Sequence, residues 1–376
     1  MVFNLIIIFF ILILGGIYSK FHGSFADSDV IRKRYIRIIC VILILQSGLR
    51  NIAVGDDTYT YFEGYKDVLH TPWTQIHDSI VEYYQYGIGK DPGYLIFQKL
   101  TQYLTCDYQI FLFIIAILFF VSLGNFIYKN TTRLVDVMIA FVIYSVLFYS
   151  FYSITGIRQT LATTITLYSY EFVKKKKIII FLLLVLIAST LHKSALVFIP
   201  FYFVCRIKKE KYVFTGMLLL FPVFFVFKDA MGKYLSVLSG YTDYNQLEGA
   251  GTYTFTALFV FISLMAMIRR KAIIKRNVNA RNYYNAFAIA LVFLPLSYIN
   301  PNALRIILYF SIFMLLFIPE IIYSLKDISN KMRIDVSVVT VILLVSLFIK
   351  SNLNSEMSYG FFWEEMRLLK HYYIIE

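Results

Sequence analysis

The sequence predicts an all-α polytopic membrane protein, and three observations carry that prediction. Hydrophobic residues make up 59% of the 376 and charged residues only 16%, against roughly 45–50% and roughly 25% in a soluble domain. The mean hydropathy is +0.68. The apolar stretches are long and blocky from one end to the other, without the alternation of an outer-membrane barrel, so the spans should be helices. This composition excludes a soluble enzyme, a disordered chain and a soluble domain on a single anchor.

About 20 apolar residues cross a bilayer, and fewer suffice when a helix is buried among others. The sequence predicts spans near 2–18, 35–49, 108–128, 134–151, 155–173, 178–191, 193–205, 212–227, 255–268, 282–299, 304–323 and 334–349, about twelve helices in one transmembrane domain over 1–376. The first lacks a basic leading segment and a small-residue cleavage site, and reads as a retained helix. Hydrophilic stretches 50–107 and 228–254 are the expected outer loops. No internal repeat is visible.

Charge orients these spans. Segments 19–34, 129–133, 174–177, 206–211, 269–281 and 324–333 hold 23 of the 36 Lys and Arg in 54 residues, whereas 50–107, 228–254 and 350–376 hold 9 in 112. The positive-inside rule puts the first set in the cytoplasm and both termini outside. The net charge of +13 is therefore read as a topology signal and not as a nucleic-acid surface. Cys40, Cys106 and Cys205 give no disulfide framework.

One pair of spans is too short. Only 28 residues separate Lys177 from Arg206, so 178–205 reads as two short helices meeting at Thr190-Leu191-His192-Lys193-Ser194. Backbone broken at membrane depth is tolerated only where it is buried in protein or lines a watery cavity. That puts His192 at a cavity wall; the alternative is a short surface loop with a solvated histidine.

Several chemistries are missing. There is no G-x-x-x-x-G-K-[ST] loop, no H-E-x-x-H, no Cys/His cluster and no G-x-S-x-G elbow. Any reaction must use a substrate that arrives activated, and neither metal nor cofactor is implied. What stands out instead is arginine away from the cytoplasmic loops. Arg50 follows the second span, Arg158 opens the fifth and Arg305 opens the eleventh, all toward the outer edge. Charges there are costly unless paired or facing a cavity. Arg158, Ala162, Thr166 and Ser169 share a helical face that should point into the bundle. Two guanidiniums near helix N-termini suit a diphosphate; the alternative is that each reaches for lipid headgroups.

The outer stretch adds a different chemistry. Leu49-Arg50-Asn51-Ile52-Ala53-Val54-Gly55-Asp56-Asp57 leads into Tyr59, Tyr61 and Tyr65. Residues 50–107 contain eight Tyr, one Trp and eight Asp or Glu. Carboxylates grip sugar hydroxyls and aromatic faces cover sugar rings, while an interfacial aromatic belt explains Trp73 and several tyrosines equally well. Gly240–Gly249 and Tyr359-Gly360-Phe361-Phe362-Trp363-Glu364-Glu365 have the same flavour.

In this order the residues resemble the EpsG/Wzy-type bacterial polysaccharide polymerases, relatives of O-antigen polymerase. Four pieces carry the resemblance: Arg50 with Gly55-Asp56-Asp57 and Tyr61; Asp91-Pro92-Gly93-Tyr94; Arg158-Gln159 with Leu161-Ala162, then Leu191-His192-Lys193-Ser194; and Arg305 in Leu304-Arg305-Ile306. They cover most of 45–315. The residue after the family's His is often Pro, and here it is Lys193. The resemblance implies a plasma-membrane enzyme of GT-C-like helical fold that joins repeat units carried on undecaprenyl diphosphate, on the outer side. Its partners would be the lipid-linked donor and acceptor, membrane lipids and a chain-length regulator protein.

Under that reading Arg158 and Arg305 bind the donor diphosphate, and Arg50 assists there or holds the loop. Gln159, Tyr61 and Tyr65 complete the substrate contacts. Asp57, Asp56 and His192 are the candidates for the base that deprotonates the acceptor hydroxyl. A flippase for the same lipid-linked sugars is the main rival, because broken helices and cavity arginines suit it as well; a related ligase or single-sugar transferase is the second.

Overall fold

The computed structural model describes residues 2–55, 57–89, 91–207, 209–239, 253–299, 301–353 and 359–365, and these are helical almost throughout. Two compact units result. One comprises Met1–Phe172, Ile179–Leu196 and Ser351–Glu376; the other comprises Val173–Ile178 and Val197–Lys350.

The first unit is built from α1 (Val2–His22), α2 (Asp29–Gly48), α3 (Thr58–His70), α4 (Trp73–Tyr86), α5 (Pro92–Thr101), α6 (Tyr108–Asn130), α7 (Leu134–Ile143), α8 (Ile157–Lys174) and α9 (Ile178–Leu191). The second holds α10 (Ile199–Val204), α11 (Glu210–Val226), α12 (Lys228–Ser239), α13 (Tyr253–Arg276), α14 (Ala280–Phe293), α15 (Pro301–Ser311), α16 (Met314–Ser324) and most of α17 (Asn330–Leu353).

Every stretch read as a span is helical, but length and apolarity single out fewer. Among the described residues, Val2–Phe25, Tyr108–Asn130 and Asn330–Lys350 qualify alone, and Ala303–Ser311 with Met314–Ser324, bent by 49°, makes a fourth if taken as one span. The others fall short for readable reasons. The start of α2 carries Arg32, Lys33, Arg34 and Arg37, α8 is rich in threonine, and α9 has 14 residues. The break expected near Thr190–Ser194 is present: α9 stops at Leu191 and a 3₁₀ turn, Lys193–Phe198, follows.

The hydrophilic stretch 50–107 is not an open loop. It folds as α3, α4 and α5, because its apolar residues recur at helical spacing. Thr58, Tyr65 and Val68 form the buried side of α3. In the stretch 228–254, α12 covers Lys228–Ser239, and residues 240–252, including the tyrosine-bearing segment Gly240–Gly249, lie outside the described residues.

Two ends of the first unit are fixed by polar contacts. At one, the buried Arg32 donates to the carbonyls of Thr131 (2.6 Å) and Asp27 (3.2 Å), and Asp27 Oδ1 accepts from the backbone N–H of Leu134 at 2.7 Å, closing the first turn of α7. These contacts join segments 19–34 and 129–133, which charge assigns to one side. At the other end α1 begins, α2 ends and the chain's last described residues return. Tyr359 stacks on Phe3 at 4.4 Å and donates to the Gln46 carbonyl at 2.7 Å. Phe361 makes an antiparallel bridge with Arg50. Asn51 ties the corner: its Nδ2 donates to the carbonyls of Phe361 (3.2 Å) and Glu364 (2.7 Å) while its Oδ1 accepts from Ala53 N–H at 2.9 Å. Tyr359 and Phe361 are thus packing residues of this clasp and not a free sugar surface.

Truncating Asn51 to Ala removes all three side-chain bonds, at a cost of about 1–3 kcal/mol. Asn51→Ala should lower the melting temperature in detergent and speed proteolytic release of the tail. Unchanged values for both would show that the backbone bridge, the Tyr359 bond and the aromatic stacking hold the segment without the Asn51 side chain.

Candidate substrate site

Arg158 is aimed by an irregular turn. After Ile143 the seventh helix widens into π turns over Tyr144–Phe148 and Ser150–Thr155, a distortion that often accompanies function. It ends where Gly156 N–H reaches back to the Phe151 carbonyl at 2.7 Å. The α8 helix starts at once, with Arg158 in its first turn, where backbone N–H groups lack helical partners and the dipole is positive. Behind it Ala162, Thr166 and Ser169 are buried, and the hydroxyls of Thr166 and Ser169 bond to carbonyls of their own helix.

The guanidinium meets two other segments. Its Nη1 donates to Asp91 Oδ2 at 2.6 Å, and its Nε stands 3.5 Å from the Tyr61 hydroxyl. Asp91 stands where a helix cap would, directly before Pro92, yet its carboxylate makes no capping bond. Its second oxygen, Oδ1, accepts the backbone N–H of Lys193 at 3.0 Å. One carboxylate, 8% exposed, therefore joins the start of α8 to the turn after α9. Gly93 makes that approach possible. A Cβ there would lie 2.2 Å from Thr190 Oγ1 and 2.8 Å from the Thr190 carbonyl carbon.

His192 sits in the same turn. Its Nδ1 lies 2.7 Å from Ser194 Oγ and accepts the Ser194 backbone N–H at 3.3 Å. A backbone N–H only donates, so Nδ1 is the acceptor and the neutral ring carries its proton on Nε2. In this geometry the imidazole presents a donor at Nε2, which is not what a general base at that atom requires.

Tyrosines border the guanidinium. The rings of Tyr61 and Tyr94 meet edge to face at 5.9 Å. Burial pushes the Tyr94 hydroxyl well above its ordinary range, so it is a neutral donor, and it finds no hydrogen-bond partner among the described residues. Tyr65 belongs elsewhere. It is 1% exposed, stacks on Phe111 at 4.4 Å and donates to the Thr105 carbonyl at 2.8 Å. It is expected with Tyr61 among the substrate contacts; the fold instead packs it in the core.

The other candidates separate in the same way. Arg50 is 3% exposed and donates to the carbonyls of Ser47 (2.7 Å) and Ile154 (3.3 Å). Of its two expected roles, these contacts serve the loop: they pin the end of α2 to the π-helical turn ahead of Arg158. Gly55, at φ +101°, packs against the same Ile154. Asp57 is exposed at the start of α3, and its carbonyl accepts from Tyr61 N–H at 3.1 Å, so Asp57 lies one turn from the tyrosine that meets Arg158. Asp56 lies outside the described residues. Gln159 is 1% exposed, within the packing of α8. Arg305 belongs to the second unit, half-buried on α15.

A groove of about 480 Å³ opens on the far side of α3. Phe62, next to Tyr61, lines it together with Asn51, Asp107, Gln109, Phe362 and Glu364. Carboxylates, amides and aromatic rings around one open space suit a hydroxyl-rich ligand.

Among these groups Asp91 and Tyr94 were not singled out as site residues. An acid directly before Pro at a helix start reads as an ordinary cap, and only the fold shows the carboxylate turned away to Arg158 and Lys193. Asp-Pro-Gly-Tyr was the available signal, since a glycine beside proline marks a close approach.

Gly93→Ala should wedge α5 off the Thr190 turn, lowering the melting temperature by an amount that corresponds to about 1–3 kcal/mol. Gly64→Ala, in open space on α3, is the matched control and should leave it unchanged or raise it slightly, since alanine favours a helix over glycine. Equal behaviour of the two variants would refute the close docking of α5.

Residues 33–363 match the EpsG family model. No curated protein and no solved structure gives a match. The chain belongs to the EpsG family, and is a polysaccharide polymerase-type, multi-pass membrane protein.

Proposed function

We propose, from membership of the EpsG family, that the protein joins oligosaccharide repeat units carried on undecaprenyl diphosphate into a surface polysaccharide. The reaction takes place on the outer side of the plasma membrane, within a GT-C-like bundle of about twelve spans, in contact with a chain-length regulator. The observation that carries this reading is Arg158: a guanidinium at a helix N-terminus, positioned by a carboxylate and bordered by tyrosine hydroxyls. Such a group recognises phosphate oxygens through both its fork and the helix dipole.

In the proposed step an acceptor hydroxyl oxygen bonds to the anomeric carbon of the donor sugar. The bond from that carbon to the diphosphate oxygen breaks, and undecaprenyl diphosphate leaves. Arg158 and Arg305 stabilise charge that develops on the leaving oxygen. The acceptor proton passes to Asp57, exposed one turn before Tyr61. His192 takes the donor's part, offering Nε2–H to an anionic oxygen. The groove beside Phe62 and Phe362 carries acceptor sugars. The diphosphate already stores the driving force, consistent with the lack of any nucleotide-binding loop.

The assay follows glycan length on purified lipid-linked units. Arg158→Ala and Arg305→Ala should each lower extension by at least about 100-fold while the protein still reaches the membrane. Lysine should restore little at either position, because it lacks the fork. Normal ladders from both alanine variants would sink the diphosphate clamp. Movement of intact lipid-linked units across vesicles without a change of length would favour a flippase.

A further inference from the structure

The two oxygens of Asp91 bond to unlike groups. Oδ2 holds Nη1 of Arg158 at 2.6 Å and Oδ1 holds the backbone N–H of Lys193 at 3.0 Å. Arg158 and Lys193 are distant in sequence, and α5 packs through Gly93 against Thr190, just ahead of the turn that carries Lys193. We infer that Asp91 is a positioning residue: its carboxylate fixes the Arg158 guanidinium against the His192 turn, so that an anion-binding group and a hydrogen-bond donor face one substrate. This inference rests on the polymerase reading for its substrate, but the tie itself does not.

The contacts argue against the other roles open to a buried carboxylate. A general base must face the proton it removes, whereas both oxygens of Asp91 are engaged within the protein, one by the Arg158 guanidinium and one by the Lys193 amide. A helix cap needs a bond to its own helix, and none forms. A metal ligand needs company, and no group of three potential ligands occurs among the described residues. What remains is orientation. Pairing Nη1 with Asp91 removes rotational freedom from a long side chain and leaves its Nε edge toward Tyr61. Preorganisation of this kind acts on the transition state more than on ground-state binding, since small misplacements of a reacting group lower rate steeply.

The second contact has a consequence specific to this chain. Lys193 supplies the tie through its main chain, and proline, which has no N–H, cannot. Position 193 opens a 3₁₀ helix, where proline is otherwise tolerated. Lys193→Pro therefore cuts one bond of Asp91 and spares the other, while Asp91→Asn keeps an oxygen for Lys193 and loses the charge on Arg158.

The experiment has two arms on the full chain in detergent or proteoliposomes. The first is a melting-temperature cycle with Asp91→Ala, Lys193→Pro and the double variant, with Lys193→Ala as the control for the side chain. If Asp91 holds this turn, Lys193→Pro lowers the melting temperature of the wild type and adds nothing in the Asp91→Ala background. Additive losses overturn the tie. The second arm is kinetic, with a purified lipid-linked repeat unit. Asp91→Asn should lower kcat about 10–100-fold and leave KM for the donor within about threefold, with the variant monodisperse. A raised KM with kcat intact, or wild-type kinetics, overturns the positioning role. Failure of the wild type itself to transfer glycan removes the polymerase reading and the kinetic claim together; the melting cycle still decides whether Asp91 makes the tie.

Discussion

A carboxylate taken out of water must be met by donors, and in this protein the donors of Asp91 come from separate parts of the chain. Its oxygens lie within 3.0 Å of both an arginine of α8 and the main chain after α9. Satisfying that one group brings α5, the start of α8 and the His192 turn together. The glycine two residues on removes the steric obstacle, and the irregular end of the seventh helix sets the direction from which the arginine arrives. Removing one partner of such a pair leaves an uncompensated charge, with a cost of about 3–5 kcal/mol when the site is fully buried. The same demand that stabilises the corner therefore also fixes its geometry.

Two arginines at superficially similar places are treated differently. Arg50 and Arg158 both stand at helix ends, and both escape the cytoplasmic loops. Arg50 is buried to 3% exposure against backbone carbonyls, and its contacts serve the architecture: the end of α2, the returning tail and the π-helical turn. Arg158 keeps part of its side chain accessible, with a carboxylate on one edge and a tyrosine hydroxyl near the other. What separates them is the surroundings that the fold gives each, and not any property of the arginines themselves.

The hydrophilic stretch makes the same point for aromatic residues. Tyr61, Phe62 and Tyr65 lie within one helix, yet they point to three environments: the guanidinium, an open groove and the core. A helix advances by about 100° per residue, so Tyr61 and Phe62 diverge, whereas Tyr65 stands one turn beyond Tyr61 on nearly the same face and differs by what packs there, Phe111 and not Arg158. Which of these side chains stays accessible is set by how α3 is rolled, and its buried side of Thr58, Tyr65 and Val68 fixes that roll.

Composition, hydropathy and the distribution of Lys and Arg determined by themselves that this chain is helical and membrane-spanning, where its apolar helices fall, and that α9 must break near His192, but not the helices of the hydrophilic stretch 50–107. These are properties of single segments against a solvent, which local sequence encodes. Arginine at helix starts and the ordered short motifs also marked out the family. Tertiary structure alone decided which of the marked residues meet. Asp91, known from the sequence only as part of Asp91-Pro92-Gly93-Tyr94, bridges two segments; Tyr65, expected among the substrate contacts, packs in the core; and His192, one of three candidates for the base, accepts from Ser194 at Nδ1. Each of these placements depends on a partner elsewhere in the fold, or on how a helix packs against its neighbours. A carboxylate's pattern of residues is the same whether it bonds its own helix or another one, because the choice is made by distance in space.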